Sequence, residues 1–372
     1  MTDGRTILLT GFPTCFLATR VLGRILERDP SAELRCLVQG RFAKPAQRTI
    51  EALPAASRER IVLLEGDAAA MDLGLSGPEY VDLAARVEEV HHCAAISYLG
   101  AERSQAEQTN IGGAEEVLEL AEAAAGLRQI VHWSSAQVSG ARRGFVLEEE
   151  LNAKAGFHNH IEESRYRAEK ILREALPAAP ITILRPTTIV GDSVCGEIDR
   201  LEGPYLLILL MLNSPVDFRM PVPGRGDVPL NLVPIDYVVD AGLHIASDPR
   251  SIGRTFHIVD PDPLTARRVF ELLANAAGRP SPRGSLPTHL AAALLRAPGL
   301  DRLSHVPRGF LEQLATEVVY DDRNARELLA SSDLRCPPFE SYMETMVRFV
   351  QAQQADRRAK EVERSLREQA PL

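Results

Sequence analysis

Thr6-Ile7-Leu8-Leu9-Thr10-Gly11-Phe12-Pro13-Thr14-Cys15-Phe16-Leu17-Ala18 decides the fold. A short apolar run stops at a glycine, and an apolar-periodic stretch then continues to Glu27, which predicts strand, turn and helix. Working outward, the same alternation recurs. Strands are predicted over 34–38, over 61–65 before Gly66-Asp67, and over 87–93 before Ala94-Ala95. An Ala-, Glu- and Leu-rich helix follows at 111–125, then a strand at 129–133 that ends on Ser134-Ser135. Residues 160–176 predict a helix and 181–184 a strand ending on Arg185-Pro186. Strands that alternate with helices in this way imply an α/β fold built on a doubly wound parallel (Rossmann) sheet.

After Gly191 the pattern loosens. Residues 192–230 are rich in Pro and Gly around an apolar run at 205–212, and 232–245 resumes a strand-to-helix unit. Another strand is expected at 255–259, helical text from Leu264 with a Pro/Arg-rich break at 279–287, and a charged tail, a frayed helix or disordered, at the end. The expected domains are a nucleotide-binding-type unit of residues 1–191 plus 231–262, a smaller C-terminal substrate unit of 192–230 plus 263–350, and the tail 351–372.

Composition narrows the function. The 372 residues carry 42 Lys and Arg against 51 Asp and Glu, a net charge of −9, so a basic nucleic-acid face is not expected. An apolar share of 45 % is enough for a sizeable core. The cysteines Cys15, Cys36, Cys93, Cys195 and Cys336 are scattered, which predicts reduced thiols and neither a metal site nor a disulfide framework. The longest apolar run, 205–212, falls short of the ~20 residues that span a bilayer. A strand begins within the first residues, leaving no space for a signal peptide, so a cytoplasmic protein with no membrane span is expected.

In a dinucleotide-binding fold the first turn presents backbone N–H groups to a pyrophosphate at a helix N-terminus. Here Gly11 keeps the first glycine, Thr14-Cys15 takes the place of the second with one extra residue, and Ala18 replaces the third. A Cβ at the second position crowds the pyrophosphate, and Pro13 removes a donor. The expected cofactor contacts are Gly11, Phe12, Thr14, Cys15, Phe16, Gln39, Arg41, Asp67, Ala94 and Ala95. Gln39 and Arg41 follow the second strand, where an arginine suits the 2′-phosphate of NADP and an acid the ribose of NAD. NADP or NAD is the expected cofactor, with its binding weakened or lost. Asp67 reads equally as an adenine contact or a helix cap.

Several segments together resemble the extended short-chain dehydrogenases, in particular the thioester-reductase and fatty acyl-CoA reductase branch. They are Thr10-Gly11-Phe12-Pro13, Cys36-Leu37-Val38, Glu65-Gly66-Asp67, His91-His92-Cys93-Ala94-Ala95, Asn110-Ile111-Gly112-Gly113, His132-Trp133-Ser134-Ser135-Ala136-Gln137-Val138, the run from Leu184 to Ser193, Val233-Pro234-Ile235-Asp236-Tyr237-Val238, and Val319-Tyr320-Asp321-Asp322 with Cys336-Pro337-Pro338. The resemblance spans roughly residues 5–350. It implies that Ser135 hydrogen-bonds a substrate carbonyl. It also implies a helix carrying a proton-donating Tyr and, one turn later, a Lys that lowers its pKa.

That helix reads Asn159-His160-Ile161-Glu162-Glu163-Ser164-Arg165-Tyr166-Arg167-Ala168-Glu169-Lys170 and offers two registers. Tyr166 and Lys170 have the family's spacing. The frame of Ser164, Ala168 and Glu169 instead puts the family's Tyr at Ile161 and its Lys at Arg165. Arg165 also stands 20 residues before Arg185, the separation the family keeps, whereas Lys170 stands 15 before it. A five-residue shift turns a helix by about 140°, so only one pair can face the site. The second register makes Tyr166 and Lys170 a surface pair. Ile161 cannot donate a proton, and Arg165 keeps its charge at all working pH values.

Other residues carry weaker readings. His158 and His160 are either proton sources or ordinary residues at the helix mouth. Ser135 as a covalent nucleophile lacks a Gly-x-Ser-x-Gly elbow, Cys15 is either reactive or packed, and 205–212 is either an apolar wall for an acyl chain or a core helix. Three functions stay open. The resemblance implies an enzyme acting on an acyl thioester held by CoA or a carrier protein, by non-redox Dieckmann-type cyclisation with Ser135 on the carbonyl and Arg165 on the enolate. It equally admits an NAD(P)H-dependent reductase that uses Tyr166 and Lys170 or a histidine, or a silent scaffold.

Overall fold

The computed structural model describes residues 4–98, 100–287, 290, 314 and 316–369. Two units emerge: one of Met1–Thr188, Ile235–Pro261 and Val318–Arg335, the other of Ile189–Pro234, Asp262–Glu317 and Cys336–Leu372.

The first unit is built on a sheet of Thr6–Thr10 (β1), Glu33–Val38 (β2), Ile61–Glu65 (β3), Glu89–His92 (β4), Gln129–Trp133 (β5), Ile181–Pro186 (β6) and Thr255–Ile258 (β7). In these labels the order across the sheet is 7-6-5-4-1-2-3, and every neighbouring pair is parallel. The reversal beside β1 marks the crevice where ligands bind in open α/β sheets. Strands β1, β4 and β5 are buried along their whole length; β1 reads as a continuous apolar run for that reason, whereas β4, Glu-Val-His-His, carries buried polar side chains.

Helices Phe16–Arg28 (α1), Gly77–Arg86 (α2), Gly113–Ala123 (α3), His160–Glu174 (α4) and Ile235–Ser247 (α5) cover the sheet. One core joins Leu8, Val90, Ile130 and Ile183 of the strands to Leu83 of α2, Val117 and Leu120 of α3, and Ala168 and Leu172 of α4. Ala168 and Leu172 are one turn apart, so this packing already sets which face of α4 looks at the sheet.

The structure departs from the sequence reading in several places. The helix expected at 111–125 opens with a π-turn over Gln108–Gly112 and becomes α-helical only at Gly113. Val87 caps α2 instead of beginning β4, and β6 runs two residues further than expected, to Pro186. The segment Val318–Arg335, expected in the substrate unit, belongs to the first: its strand Val318–Tyr320 pairs in parallel with Gly144–Val146.

The second unit has its own core, in which Tyr205, Ile208 and Met211 meet Phe270, Leu273, Tyr342, Met346 and Val350. The run at 205–212 is the helix Pro204–Asn213, and its buried residues face this core; Tyr205 accepts the Gly191 N–H (2.9 Å) and donates to the Gly196 carbonyl (3.2 Å). Ala266–Ala276 is helical, and the expected tail continues the helix Phe339–Gln369. Most of the helical text expected beyond residue 287 lies outside the described residues until Thr316. No described helix is long and apolar enough to cross a membrane.

Candidate active site

The register of α4 is fixed by a buried carboxylate. Glu169 is fully buried and accepts hydrogen bonds from Ser134 Oγ at the end of β5 (2.6 Å), from Arg173 Nε (3.0 Å), and from Nε (3.0 Å) and Nη2 of Arg185 on β6. Burial alone would push this carboxyl up, but Arg185, Arg173 and Ser134 outweigh it and hold it at about 2. An ion pair with all its partners in place tolerates no rotation of the helix that carries it.

Ile161 and Arg165 lie two turns and one turn before Glu169, so all three fall along one stripe of the helix. Ile161 is 4 % exposed. Tyr166 instead packs its ring on Phe157 (centroids 5.1 Å apart), and Lys170 reaches Glu174 (3.6 Å) with more than half its side chain exposed. The Tyr-x-x-x-Lys pair is therefore turned off the stripe. Asn159 starts the helix: its Oδ1 accepts the Ile161 and Glu162 N–H groups (3.0 Å each). His158 is tied to the Glu162 carboxylate through Nδ1 (3.0 Å), and His160 donates from Nε2 to the Ala101 carbonyl (2.8 Å). Both are anchored residues and not the solvent-facing pair of the plainer reading.

Arg165 is half-buried as a residue, but its Nε is buried and has no hydrogen-bond partner among the described residues. Burial lowers its pKa, and the group that opposes this is Cys15 of the first turn. The guanidinium also bears on His132 of β5. Among the described residues no carboxylate forms an ion pair with Arg165, so the side chain is a cation held without an anion there. Such an arrangement costs stability and is kept where an anion or developing negative charge arrives.

Ser135 follows the residue that bonds Glu169. It caps a short helical turn, Ala136–Ser139, and its Oγ accepts the Gln137 N–H (3.2 Å), which leaves the hydroxyl its own hydrogen to donate. The π-turn Gln108–Gly112 delivers Asn110 into the interior. Asn110 accepts the Ile96 N–H (2.7 Å) and donates to the Ile96 carbonyl (3.2 Å) and to Ser164 Oγ (2.8 Å), beside Arg165. Asn110 stands in a motif visible in the sequence, but nothing there revealed that a π-bulge aims it at Ser164.

The first turn is compact. Gly11 has φ of +90°, and a Cβ on it would stand 2.9 Å from the Ala94 nitrogen, so the turn needs glycine here. Cys15 donates its N–H to the Gly11 carbonyl (2.8 Å), and α1 begins at Phe16. Phe12 is buried, Thr14 is exposed and bonds the Gly11 carbonyl (3.3 Å), and Ala94 donates to Thr10 Oγ1 (3.1 Å) beside Ala95. At the ends of β2 and β3, Gln39 donates to Asp67 (2.8 Å) and receives Arg41 Nε (2.9 Å), while Asp67 also accepts the Ala69 N–H (3.1 Å). The sequence-derived set thus divides into the turn itself and a Gln39–Asp67–Arg41 chain. A dinucleotide fits this layout at the α1 terminus, at the polar chain and at the unpartnered Arg165; Thr14 and Cys15 carry side chains where the family's glycine allows close approach.

Beneath the turn, Thr10 donates to His92 Nδ1 (3.0 Å), and the His92 and His132 rings stack 5.4 Å apart. Burial holds His92 at about 3 and His132 at about 4, and burial with Arg185 nearby holds His257 at about 3. Their folded-state values lie below the unfolded 6.5, so their stabilisation is present above pH 6.5 and fades as pH falls toward 4. Glu148, pushed up by burial to about 7, works in the opposite sense: its contribution is present below pH 4.5 and fades as pH rises through 7. Between pH 7 and 5.5 each histidine should cost about 1.3 kcal/mol and Glu148 should offset about 1.6, a net loss of about 2 kcal/mol. Urea midpoints at the two pH values measure this; equal midpoints would refute the neutral buried histidines.

A family of NAD-binding domains described as male sterility protein matches residues 9–242. The chain belongs to this family. The family member is 28 % identical to the glycine betaine reductase ATRR of Emericella nidulans over 73 % of its own length and 22 % of the relative's. It is 25 % identical to the fatty acyl-CoA reductase wat of Drosophila melanogaster over 65 % of its length and 54 % of the relative's. It therefore spans about half or less of these two relatives. Among solved structures, the terminal R domain from the myxalamid PKS-NRPS pathway superposes with a TM-score of 0.81 at 24 % identity, covering 95 % of this chain and 92 % of that one. The family member has the extended short-chain dehydrogenase fold, and its family binds nicotinamide dinucleotides.

Proposed function

We propose that this family member acts on the carbonyl of an acyl thioester borne by CoA or a carrier protein, and that its chemistry is carbon–carbon bond formation without hydride transfer. The unpartnered, half-buried guanidinium of Arg165 is the observation that carries this reading. In a Dieckmann-type cyclisation an enolate attacks a thioester, and negative charge develops on two oxygens in turn. Ser135 donates to the thioester carbonyl oxygen, and Arg165 holds the enolate, so both supply stabilisation that is stronger in the transition state than in the ground state. Ile161 on the stripe offers no proton, so the helix itself carries no acid at the family's tyrosine position.

The names of the relatives favour a second reading, reduction of the same thioester. A bound nicotinamide dinucleotide supplies hydride to the carbonyl carbon. Gln39, Asp67 and Arg41 would hold its adenosine half, and Arg165 would face its ribose and phosphates.

An N-acetoacetyl-aminoacyl thioester of N-acetylcysteamine, followed by thiol release with and without NADPH, tests both. Thiol release that needs no NADPH supports cyclisation, and stoichiometric NADPH consumption supports reduction. Ser135→Ala should lower either rate by about 10²–10³-fold. Tyr166→Phe and Lys170→Met should leave the rate within about threefold, since both side chains are turned off the stripe; a large loss in either would restore the other register. Thiol release unchanged by Ser135→Ala would overturn the assignment of this pocket.

A further inference from the structure

The helix lacks a phenol at Ile161, and a phenol from another element packs against the cluster to which Ile161 belongs. Ile161 forms a small apolar cluster with Ile96, Ala101 and Ala106, separate from the main core, and Tyr98 packs against that cluster. Tyr98 rides on the chain between β4 and the short helix Arg103–Glu107. This segment is strapped to α4 along its length. Asn110 holds Ile96 by two hydrogen bonds and Ser164 by a third, and His160 holds the Ala101 carbonyl. Arg103 reaches Glu163 (2.8 Å), and Arg167 reaches Glu107 (3.1 Å). Ties on both sides of Tyr98, at Ile96 and at Ala101, thereby hold it against the cluster that contains Ile161.

We propose that Tyr98 is a catalytic residue of this pocket and supplies the proton that the family's helix would supply from position 161. The proposal rests on the thioester reading above and deepens it. As the enolate adds to the thioester carbon, the C=O π pair moves onto oxygen, which takes the Tyr98 proton beside the Ser135 hydrogen bond. As the carbonyl reforms, the C–S bond breaks, the pair leaves on sulfur, and the proton returns to Tyr98. The α-proton lost to water at the outset balances the proton that the thiolate takes from water.

The test uses the full chain and the N-acetylcysteamine thioester. Tyr98→Phe keeps the ring on the apolar cluster and removes the O–H; kcat for thiol release should fall about 10²-fold with KM within about threefold. Circular dichroism and the thermal midpoint confirm that the variant is folded. The exchange variant, Tyr98→Ile with Ile161→Tyr, returns a phenol to the helix position at nearly constant volume, and should recover at least tenfold of the loss. A purely packing role for Tyr98 predicts neither the selective fall in kcat nor the recovery. An inactive Ser135→Ala alongside a Tyr98→Phe that keeps kcat within about threefold overturns the role of Tyr98 and leaves the pocket standing. Activity surviving in both variants, or no thiol release by the parent chain, overturns the thioester reading and this role with it.

Discussion

Replacing Glu169 by alanine lowers the stability of this chain by about 3–5 kcal/mol, because it leaves Arg185 buried without its counter-charge. Arg185 is 1 % exposed, so water cannot take over from the lost carboxylate. Its remaining bonds, to the Glu148 and Glu150 carbonyls, satisfy donors but not charge. Ser134 and Arg173 lose a partner in the same step. Urea unfolding of the parent, Glu169→Ala and Lys170→Ala gives the comparison. The Lys170 variant removes only an exposed pair and should shift stability by less than about 1 kcal/mol. A Glu169→Ala cost of that same small size would mean the helix register is set by packing alone.

Replacing Arg165 by methionine should divide thiol release by about 10²–10³ and leave the thermal midpoint equal or higher. The two effects have one cause. A guanidinium with a buried, unpartnered Nε is unfavourable in the folded chain, and methionine fills a similar volume without that cost. Stability held at a cost to the fold is expected where function needs the charge. Arg165→Lys keeps a positive point charge but not the planar fork, and should recover only part of the rate. A midpoint that falls together with activity would mean Arg165 is a structural residue, and the anion-holding role would fail.

Much of this architecture was legible beforehand for a physical reason. Strands β1 and β5 are short, largely apolar and closed by Gly11 or Ser134-Ser135, and burial on both faces of a parallel sheet writes that pattern directly into the chain. For α4 the text offered two registers, and the buried Glu169–Arg185 pair, a contact between residues on different elements, is what fixes the helix. Val318–Arg335 was misplaced because its strand pairs with Gly144–Val146, a partner far away in sequence that no local pattern can announce. The π-turn at Asn110 was hidden for a related reason: its text is ordinary helix text, and only contacts with Ile96 and Ser164 hold the bulge.

What the amino-acid sequence determined alone was periodic: which segments are strands and which are helices. Local geometry repeats every two or 3.6 residues, so it can be read from neighbours in the chain. The tertiary structure alone decided which groups converge: Glu169 with Arg185 and Ser134, Asn110 with Ile96 and Ser164, and Tyr98 at the cluster that contains Ile161. Such meetings depend on how the β4–α3 chain folds back over α4, and that path is fixed by burial and hydrogen bonding between residues distant in sequence.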